Sequence, residues 1–280
     1  MGRITRRIRV HRVTSSRPAV DIRGRADIVG VEEPLELRIA GTPFTTTMRT
    51  PGDDVELAHG FLFSEGLIRS REDIAEVRYC AGSEGPDGLN TYNVLEVVPA
   101  PGVIINPAGR RNFTTTSACG VCGTSSIDQV MERRSCAPQP VQLDPELLIS
   151  LPERMRGAQK GFDTTGGMHA AGLFTTDGEL LALREDVGRH NAVDKIIGHL
   201  LMTNQLPAKD TVLAVSSRAS FELVQKAIMA GIPALVAVSA ATSLAVDAAR
   251  EAGLVLTGFT RFDRMNVYSG DEYLTVDNNG

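Results

Sequence analysis

Two spacings of hydrophobic residues divide the chain into parts of different character. In the first hundred residues, apolar side chains alternate with polar ones in short runs, as at Leu35, Leu37 and Ile39. This period of two is typical of half-buried strands. A helical spacing over residues 53–66 interrupts these runs, with acids at its start and a glycine at its end. The pattern predicts a small α+β lobe.

The second half of the chain alternates short apolar runs with amphipathic segments. The runs predict strands over residues 168–174, 180–183, 212–215, 235–238 and 254–256, and the amphipathic segments predict helices over residues 192–201, 221–229 and 244–252. Alternating strands and helices are typical of a parallel sheet with helices packed on its faces. The expected fold class is α/β, with an α+β small lobe and a larger lobe that has a mostly parallel sheet.

Three segments are expected along the chain. Residues 1–18 carry six arginines before the first acid, Asp21, and are interpreted as a basic flexible tail because no signal-peptide pattern follows. Residues 19–135 form the amino-terminal α+β lobe, which ends in a Cys-x-x-Cys loop. Residues 136–280 form the carboxy-terminal α/β lobe, which contains the cofactor-binding segment.

Composition excludes several classes of protein. The 280 residues contain 29 Lys and Arg against 34 Asp and Glu, a net charge of −5, which argues against a nucleic-acid binder. Apolar runs are far shorter than the roughly 20 residues of a membrane-spanning helix. Four cysteines are too few for a disulfide framework in a chain of this length. A cytoplasmic protein without nucleic-acid or membrane partners is expected.

Cys119 and Cys122 are the strongest candidates for chemistry. A glycine follows each of them, and a helix is predicted to start just beyond, at Ser125. The partial positive charge at a helix amino end lowers a nearby thiol pKa from about 8.5 into a range of roughly 3.5 to 7.5. A thiolate would then be available at neutral pH. A thioredoxin-like redox pair, a zinc site, a structural pair and a persulfide carrier remain open from these residues alone.

Several longer motifs occur in order along the chain. They are EPL at 33–35, MRTPGDD at 48–54, GFL at 60–62, SEG at 64–66, CGVCG at 119–123, REDVGRHNAVDK at 184–195 and SFEL at 220–223. Together they resemble the formate dehydrogenase accessory sulfurtransferase (FdhD) family over about residues 20–268. A set of long motifs in the right order is far more specific than one Cys-x-x-Cys.

The resemblance implies a sulfurtransferase of cytidine-deaminase-like architecture that works as a sulfur carrier. Cys119 would accept persulfide sulfur from a cysteine desulfurase, with Cys122 assisting. The sulfur would pass to the Mo-bis(molybdopterin guanine dinucleotide) cofactor of a formate dehydrogenase. That cofactor is then a bound substrate, which a guanine nucleotide such as GDP would mimic, and no permanent metal is expected.

The resemblance also assigns the cofactor contact to one segment near the carboxyl terminus. Its residues are Phe259, Thr260, Arg261, Phe262, Asp263 and Arg264. The residues themselves agree, because arginines just past a strand at the carboxyl end of an open α/β sheet suit pyrophosphate. Arg189 and His190 at a predicted helix start, and Ser217 between a strand and a helix, are further candidates for an anionic ligand.

Two other functions are considered. A zinc deaminase suits the order of strands and helices, but a His-x-Glu motif is absent and Ala118, not proline, precedes the cysteine pair. A non-catalytic chaperone would bind the cofactor and dock the dehydrogenase without moving sulfur. A symmetric homodimer is expected from the general bias of proteins toward twofold assembly.

Overall fold

The structure, a computed structural model, describes residues 4–16, 19–80, 91–105, 123–134 and 136–275. The strands within these ranges form a two-stranded, a four-stranded and a six-stranded sheet. None of the helices in the same ranges is long and apolar enough to cross a membrane.

The two-stranded sheet is a long hairpin at the amino end of the chain. Strand β1 (Thr5–Ser16) pairs antiparallel with β2 (Ala19–Gly30) without a register break. The prediction of a flexible tail over residues 1–18 is therefore wrong for residues 5–16. Its arginines suggested a solvated segment, but Ile8 and Val10 alternate with them and are half-buried near the base of the hairpin.

The four-stranded sheet forms the small lobe. It contains β3 (Glu33–Ile39), β4 (Thr42–Arg49), β5 (Ile74–Tyr79) and β6 (Val94–Pro99) in the order β4-β3-β6-β5. Leu35, Leu37 and Ile39 are buried and alternate with more exposed residues, as predicted. Helix α1 (Asp54–Ser64) follows β4, and Gly66, with a φ of 69°, takes the left-handed conformation just past its end.

The six-stranded sheet forms the larger lobe. Its strands are β7 (His169–Thr175), β8 (Leu180–Asp186), β9 (Thr211–Val215), β10 (Ala234–Ala237), β11 (Val255–Arg261) and β12 (Arg264–Ser269), in the order β12-β11-β10-β9-β7-β8. Strands β9, β10 and β11 are parallel neighbours, and β7 runs antiparallel to both β8 and β9. The α/β class is confirmed, and the sheet is mixed because β7 and β12 run against the rest.

Helices cover both faces of this sheet. The remaining described helices are α2 (Gly123–Arg133), α3 (Pro145–Ala158), α4 (Lys160–Thr165), α5 (Arg189–Met202), α6 (Phe221–Met229) and α7 (Ser243–Ala252). Helix α3 packs with Val212 and Ala214 of β9 on one face, whereas α5, α6 and α7 pack with Leu213 and Val215 on the other. This alternation is the period of two that a sheet buried on both faces requires.

Helices α1 and α5 join the two lobes into one hydrophobic core. Gly60 of α1 faces α5 so closely that an added Cβ would lie 1.8 Å from the carbonyl oxygen of Asp194. An added Cβ at Gly198 of α5 would likewise lie 1.8 Å from the carbonyl oxygen of Glu56. Glycine in a helix interior costs about 1 kcal/mol relative to alanine, and here that cost allows the two backbones to touch. The lobe boundary predicted at residues 135 and 136 stays a prediction.

We expect Gly60→Ala and Gly198→Ala to destabilise the protein by about 1–3 kcal/mol or more, because each methyl group would force the two helices apart. Gly157→Ala on α3 is the matched control, since nothing lies within 4 Å of its Cβ position. The control should be neutral or stabilising by about 0.5–1 kcal/mol. Urea unfolding of the three variants measures the difference, and equal stability of all three would contradict the close approach.

Candidate functional site

The predicted binding residues gather where β8, β9, β10 and β11 end, here called the carboxyl edge of the six-stranded sheet. Strand β7 starts at the same edge, since His169 pairs with Asp186. Arg189 and His190 open helix α5 directly after β8, and Ser217 follows β9. In open α/β sheets, ligands bind at this edge, outside the carboxyl ends of the strands.

Hydrogen bonds join neighbouring loops of the carboxyl edge into a continuous rim. The hydroxyl of Ser216 accepts a bond from the backbone N–H of Ala170 at 2.9 Å. The backbone N–H of Ser239 donates to the Ser217 carbonyl at 3.3 Å, and that of Phe259 donates to the Ser239 carbonyl at 3.1 Å. These bonds connect β7 with β11, and the start of α5 after β8 lies next to them at the β7 side, so it is counted here as the last part of the rim.

Arg189 and His190 form the end of the rim nearest β8. The Nε atom of Arg189 and the Nε2 atom of His190 are buried and have no hydrogen-bond partner among the described residues. His190 Nε2 lies 3.9 Å from the nearest carboxylate oxygen of Glu222. Buried polar atoms without partners are uncommon in folded proteins, so this end of the rim contains two unsatisfied hydrogen-bonding groups.

The histidines at this end stay uncharged near neutral pH. Burial, followed by the positive charges of Lys226 and Arg189, lowers the pKa of His190 to about 4. Burial and the nearby Arg189 also lower the pKa of His169, whose Nδ1 lies 3.4 Å from the Ser216 hydroxyl. Neutral imidazoles beside a permanently charged guanidinium offer hydrogen-bond donors to an anion without adding further positive charge.

The other end of the rim is the tight turn between β11 and β12. Phe259 and Phe262 have φ angles of 52° and 57°, a left-handed conformation that is uncommon for bulky residues and concentrates at functional sites. The Phe262 side chain is 77% exposed, and Arg261, Asp263 and Arg264 are exposed beside it. The turn thus presents an aromatic face and two guanidinium groups.

Two of the predicted contacts are buried within the protein. Thr260 is fully buried, and its hydroxyl shares a 3.1 Å hydrogen bond with that of Thr257. Ser217 is buried as well, and its hydroxyl donates to the Arg218 carbonyl at 3.0 Å. Both side chains therefore make internal contacts of the rim.

The two ends of the rim are far apart. Four inter-strand steps separate β8 from β11 in the order β11-β10-β9-β7-β8. At about 4.8 Å per step, the ends lie roughly 19 Å from each other. The rim therefore suits an elongated ligand with anionic groups, and the structure brings the predicted residues to one edge without bringing them to one point.

A buried carboxylate holds the start of α5 in place. Asp186 accepts hydrogen bonds from the backbone N–H groups of Thr50 and Gly188 and from the side chain of Asn191. The ammonium group of Lys195 lies 2.7 Å from its Oδ2. The charged run at residues 184–195 therefore divides. Its acids and Lys195 make internal contacts, whereas Arg189 Nε and His190 Nε2 have no hydrogen-bond partner among the described residues.

A second buried ion pair was not found from the sequence. Lys226 of α6 lies 2.7 Å from Asp194 of α5, which also accepts a hydrogen bond from the Ser64 hydroxyl. The sequence does contain one indication of a buried ion pair, which is the lysine at position 226 beside the apolar residues that end α6. This pair matters for the site because Lys226 is one of the charges that keep His190 neutral.

Cys119 and Cys122 lie outside the described residues. What the structure describes is the helix after them: α2 begins at Gly123, the residue next to Cys122, two residues earlier than predicted. The predicted helix after the cysteine pair is present, and the placement of the pair at its amino end stays a prediction.

Comparisons with known proteins agree on one family. The model of the FdhD/NarQ family matches residues 30–275. A relative from Corynebacterium efficiens named Sulfur carrier protein FdhD is 58% identical over 275 residues, which cover 97% of this chain and 99% of the relative. A relative of the same name from Streptomyces avermitilis is 52% identical, covering 99% and 98% of the two chains.

A solved structure shares the fold. It comes from Desulfotalea psychrophila and is provisionally assigned as a formate dehydrogenase accessory protein. The TM-score is 0.71 at 22% sequence identity, and the match covers 96% of this chain and 99% of the other.

The lowered pKa of His190 predicts a dependence of stability on pH. Its folded value of about 4 lies below the unfolded value of about 6.5, so the unfolded state binds the proton more readily between these values. Stability should therefore fall as the pH drops from about 6.5 to about 4. The share of His190 is roughly 1–2 kcal/mol, because its side chain is 33% exposed and solvent screens the effect.

Urea unfolding across this pH range should show a shallower pH dependence for His190→Gln than for the wild type. His11→Gln is the control, since His11 is exposed on the amino-terminal hairpin. An unchanged slope in His190→Gln would contradict the assignment.

Proposed function

The chain belongs to the FdhD/NarQ family, and from this premise we propose that it is a cytoplasmic sulfur carrier for the maturation of a formate dehydrogenase. The sulfur donor is a cysteine desulfurase, and the acceptor is the Mo-bis(molybdopterin guanine dinucleotide) cofactor of the dehydrogenase. Relatives that match almost the full chain carry the name Sulfur carrier protein FdhD, which supports the carrier role.

In the sulfur step of this proposal, the Cys119 thiolate attacks the terminal sulfur of the donor's persulfide. A new sulfur–sulfur bond forms on Cys119, the donor's own sulfur–sulfur bond breaks, and the donor cysteine leaves as a thiolate. Cys122 assists or relays the sulfur. The start of α2 at Gly123 supports this role, because a helix amino end favours the thiolate form of preceding cysteines.

The observation that carries the cofactor part of the proposal is the rim at the carboxyl edge. A guanine dinucleotide is elongated, carries pyrophosphate and ends in an aromatic base. The exposed ring of Phe262 offers a stacking surface for the base. Arg261 and Arg264 offer charge-assisted bonds to pyrophosphate. Arg189 and His190, whose Nε and Nε2 atoms have no hydrogen-bond partner among the described residues, would lie beside another anionic part of the same molecule.

Phe259 and Asp263 have smaller parts in this proposal. The Phe259 side chain is 38% exposed and its backbone is tied to Ser239, so it supports the turn. Asp263 places a negative charge at the tip of the turn, which favours a base N–H group over a phosphate as its partner.

A non-catalytic cofactor chaperone is the second candidate. It would use the same rim to bind the cofactor. The two functions differ in what they require of Cys119, because only the carrier needs its sulfur atom.

We expect the wild-type protein to gain a sulfur adduct of about 32 Da after incubation with a cysteine desulfurase and cysteine, and to lose it on reduction. Cys119→Ala should remain unmodified, and Cys136→Ala is the matched control that should react normally. Intact-protein mass spectrometry makes the comparison.

Two other outcomes would contradict the carrier proposal. If Cys119→Ala and Cys122→Ala both still activate the dehydrogenase, the protein is a chaperone and not a sulfur carrier. If the native mass shows bound zinc, the cysteine pair belongs to a metal site.

Guanine nucleotide binding tests the rim separately from sulfur transfer. GDP should bind the wild type, and Phe262→Ala and Arg264→Ala should each weaken it about tenfold or more, because a lost stack or charged hydrogen bond is worth about 1.4 kcal/mol or more. Arg78→Ala is the control, since Arg78 lies exposed on β5 of the other sheet. Isothermal titration calorimetry provides the affinities, and equal GDP affinity in all variants would remove the turn from the binding site.

A further inference from the structure

Strand β11 contains an extra residue just before the turn that leads into β12. The register shifts there, so that Phe259 and Thr260 of β11 lie opposite Met265 alone. Two residues against one define a β-bulge. Phe259 is the first of the two and has a φ of 52°, the left-handed conformation in which such bulges usually place glycine. A bulky residue therefore occupies a backbone position that favours glycine, and the bulge needs other contacts to hold it.

The bulge changes the side of the strand to which Thr260 points. Residues three apart in a regular strand point to opposite faces, because side chains alternate with a period of two. Thr257 and Thr260 are three apart, yet their hydroxyl oxygen atoms lie 3.1 Å from each other. The extra residue between them therefore brings both hydroxyl groups to the same side of β11. Their hydrogen bond spans the bulge.

Both hydroxyl groups are shielded from water. Thr257 and Thr260 are each 0% exposed, and within the described part of the chain each hydroxyl has the other as its hydrogen-bond partner. A buried hydroxyl that loses its partner destabilises a protein by more than its hydrogen bond stabilised it. The two hydroxyls are satisfied together only while the bulge keeps its shape, so the pair stabilises the bulge.

The bulge also decides where the turn presents its side chains. Arg261 follows Thr260 directly and pairs with Arg264 across the turn. A strand that slips by one residue turns its following side chains to the opposite face. The exposure of Arg261 and Phe262 therefore depends on the bulged register.

We propose that Thr257 and Thr260 are positioning residues, whose hydroxyl pair holds the bulge in the register that presents the turn to a ligand. The pair contacts no ligand itself, because both side chains are fully buried. The identity of that ligand, a guanine dinucleotide, rests on the proposed function, whereas the effect of the pair on the turn does not.

Amide hydrogen exchange of the full chain measures how firmly the turn is held. Thr257→Val with Thr260→Val keeps the shapes of both side chains and leaves no buried hydroxyl without a partner, so this variant should fold. The N–H groups of residues 259–264 should exchange about tenfold faster in it than in the wild type, because one buried hydrogen bond no longer holds the bulge. Thr257→Ser with Thr260→Ser retains both hydroxyls and should exchange like the wild type.

Thr211 provides the matched control in the same sheet. Its buried hydroxyl donates to the Ala208 carbonyl at the start of β9, at the edge opposite the turn. Thr211→Val should therefore leave the exchange rates of residues 259–264 unchanged. If the valine pair also leaves them unchanged, the hydroxyl pair does not hold the turn and the proposal is overturned.

GDP affinity, measured by isothermal titration calorimetry, shows whether the pair acts through the turn. The valine pair should weaken GDP binding about tenfold, and the serine pair should bind like the wild type. Combined with Phe262→Ala, the valine pair should weaken binding by less than the product of the two separate effects, because both act on one turn. Faster exchange with unchanged GDP affinity, or fully additive losses, would overturn the positioning role. A wild type that binds no GDP would contradict the proposed ligand, and the exchange rates would then decide the role of the pair alone.

Discussion

The buried carboxylate of Asp186 is the constraint on which the site depends. It is fully buried and joins Thr50 of the small lobe, Gly188 and Asn191 at the start of α5, and Lys195 one turn further along that helix. A buried charge is tolerated only when its hydrogen bonds and counter-charge are complete, and removing one partner typically costs 3–5 kcal/mol. The satisfied network therefore fixes where α5 begins relative to β8 and to the loop after β4.

This fixed helix start explains how charged neighbours in sequence take different roles. Asp186, Asp194 and Lys195 form internal ion pairs, whereas Arg189 and His190 each have a buried nitrogen atom that lacks a partner in the part of the chain that the structure describes. The internal pair of Asp194 with Lys226 also places a cation near His190, which helps to keep the ring neutral. The buried network thus positions Arg189 and His190, and together with burial it lowers the pKa of His190.

Local sequence patterns were sufficient to predict most helices and strands, whereas other features depend on contacts between residues that are distant in sequence. The helical spacing over residues 53–66 and the apolar runs of the second half were sufficient for α1 and for the strands of the large sheet, because each signal lies within one element. The hairpin was missed because β1 is arginine-rich, and its strand form depends on pairing with β2. The hydrogen-bond network around Asp186 could not be predicted from the sequence, because its partner Thr50 is 136 positions away. For the site, the carboxyl-edge location followed from strand order, but the burial of Thr260 and Ser217 depended on packing.

The strained turn between β11 and β12 is held in place by contacts with the sheet. Left-handed backbone conformations are unfavourable for phenylalanine. Phe259 and Phe262 adopt them here because the sheet holds β11 and the Ser239 carbonyl accepts a hydrogen bond from the Phe259 N–H group. Gly258 makes this approach possible, since a Cβ there would lie 2.8 Å from that same carbonyl oxygen. Binding groups on a loop held by a rigid sheet lose little freedom when a ligand arrives. The backbone that carries the exposed ring of Phe262 is therefore held by the same contacts that form the rim.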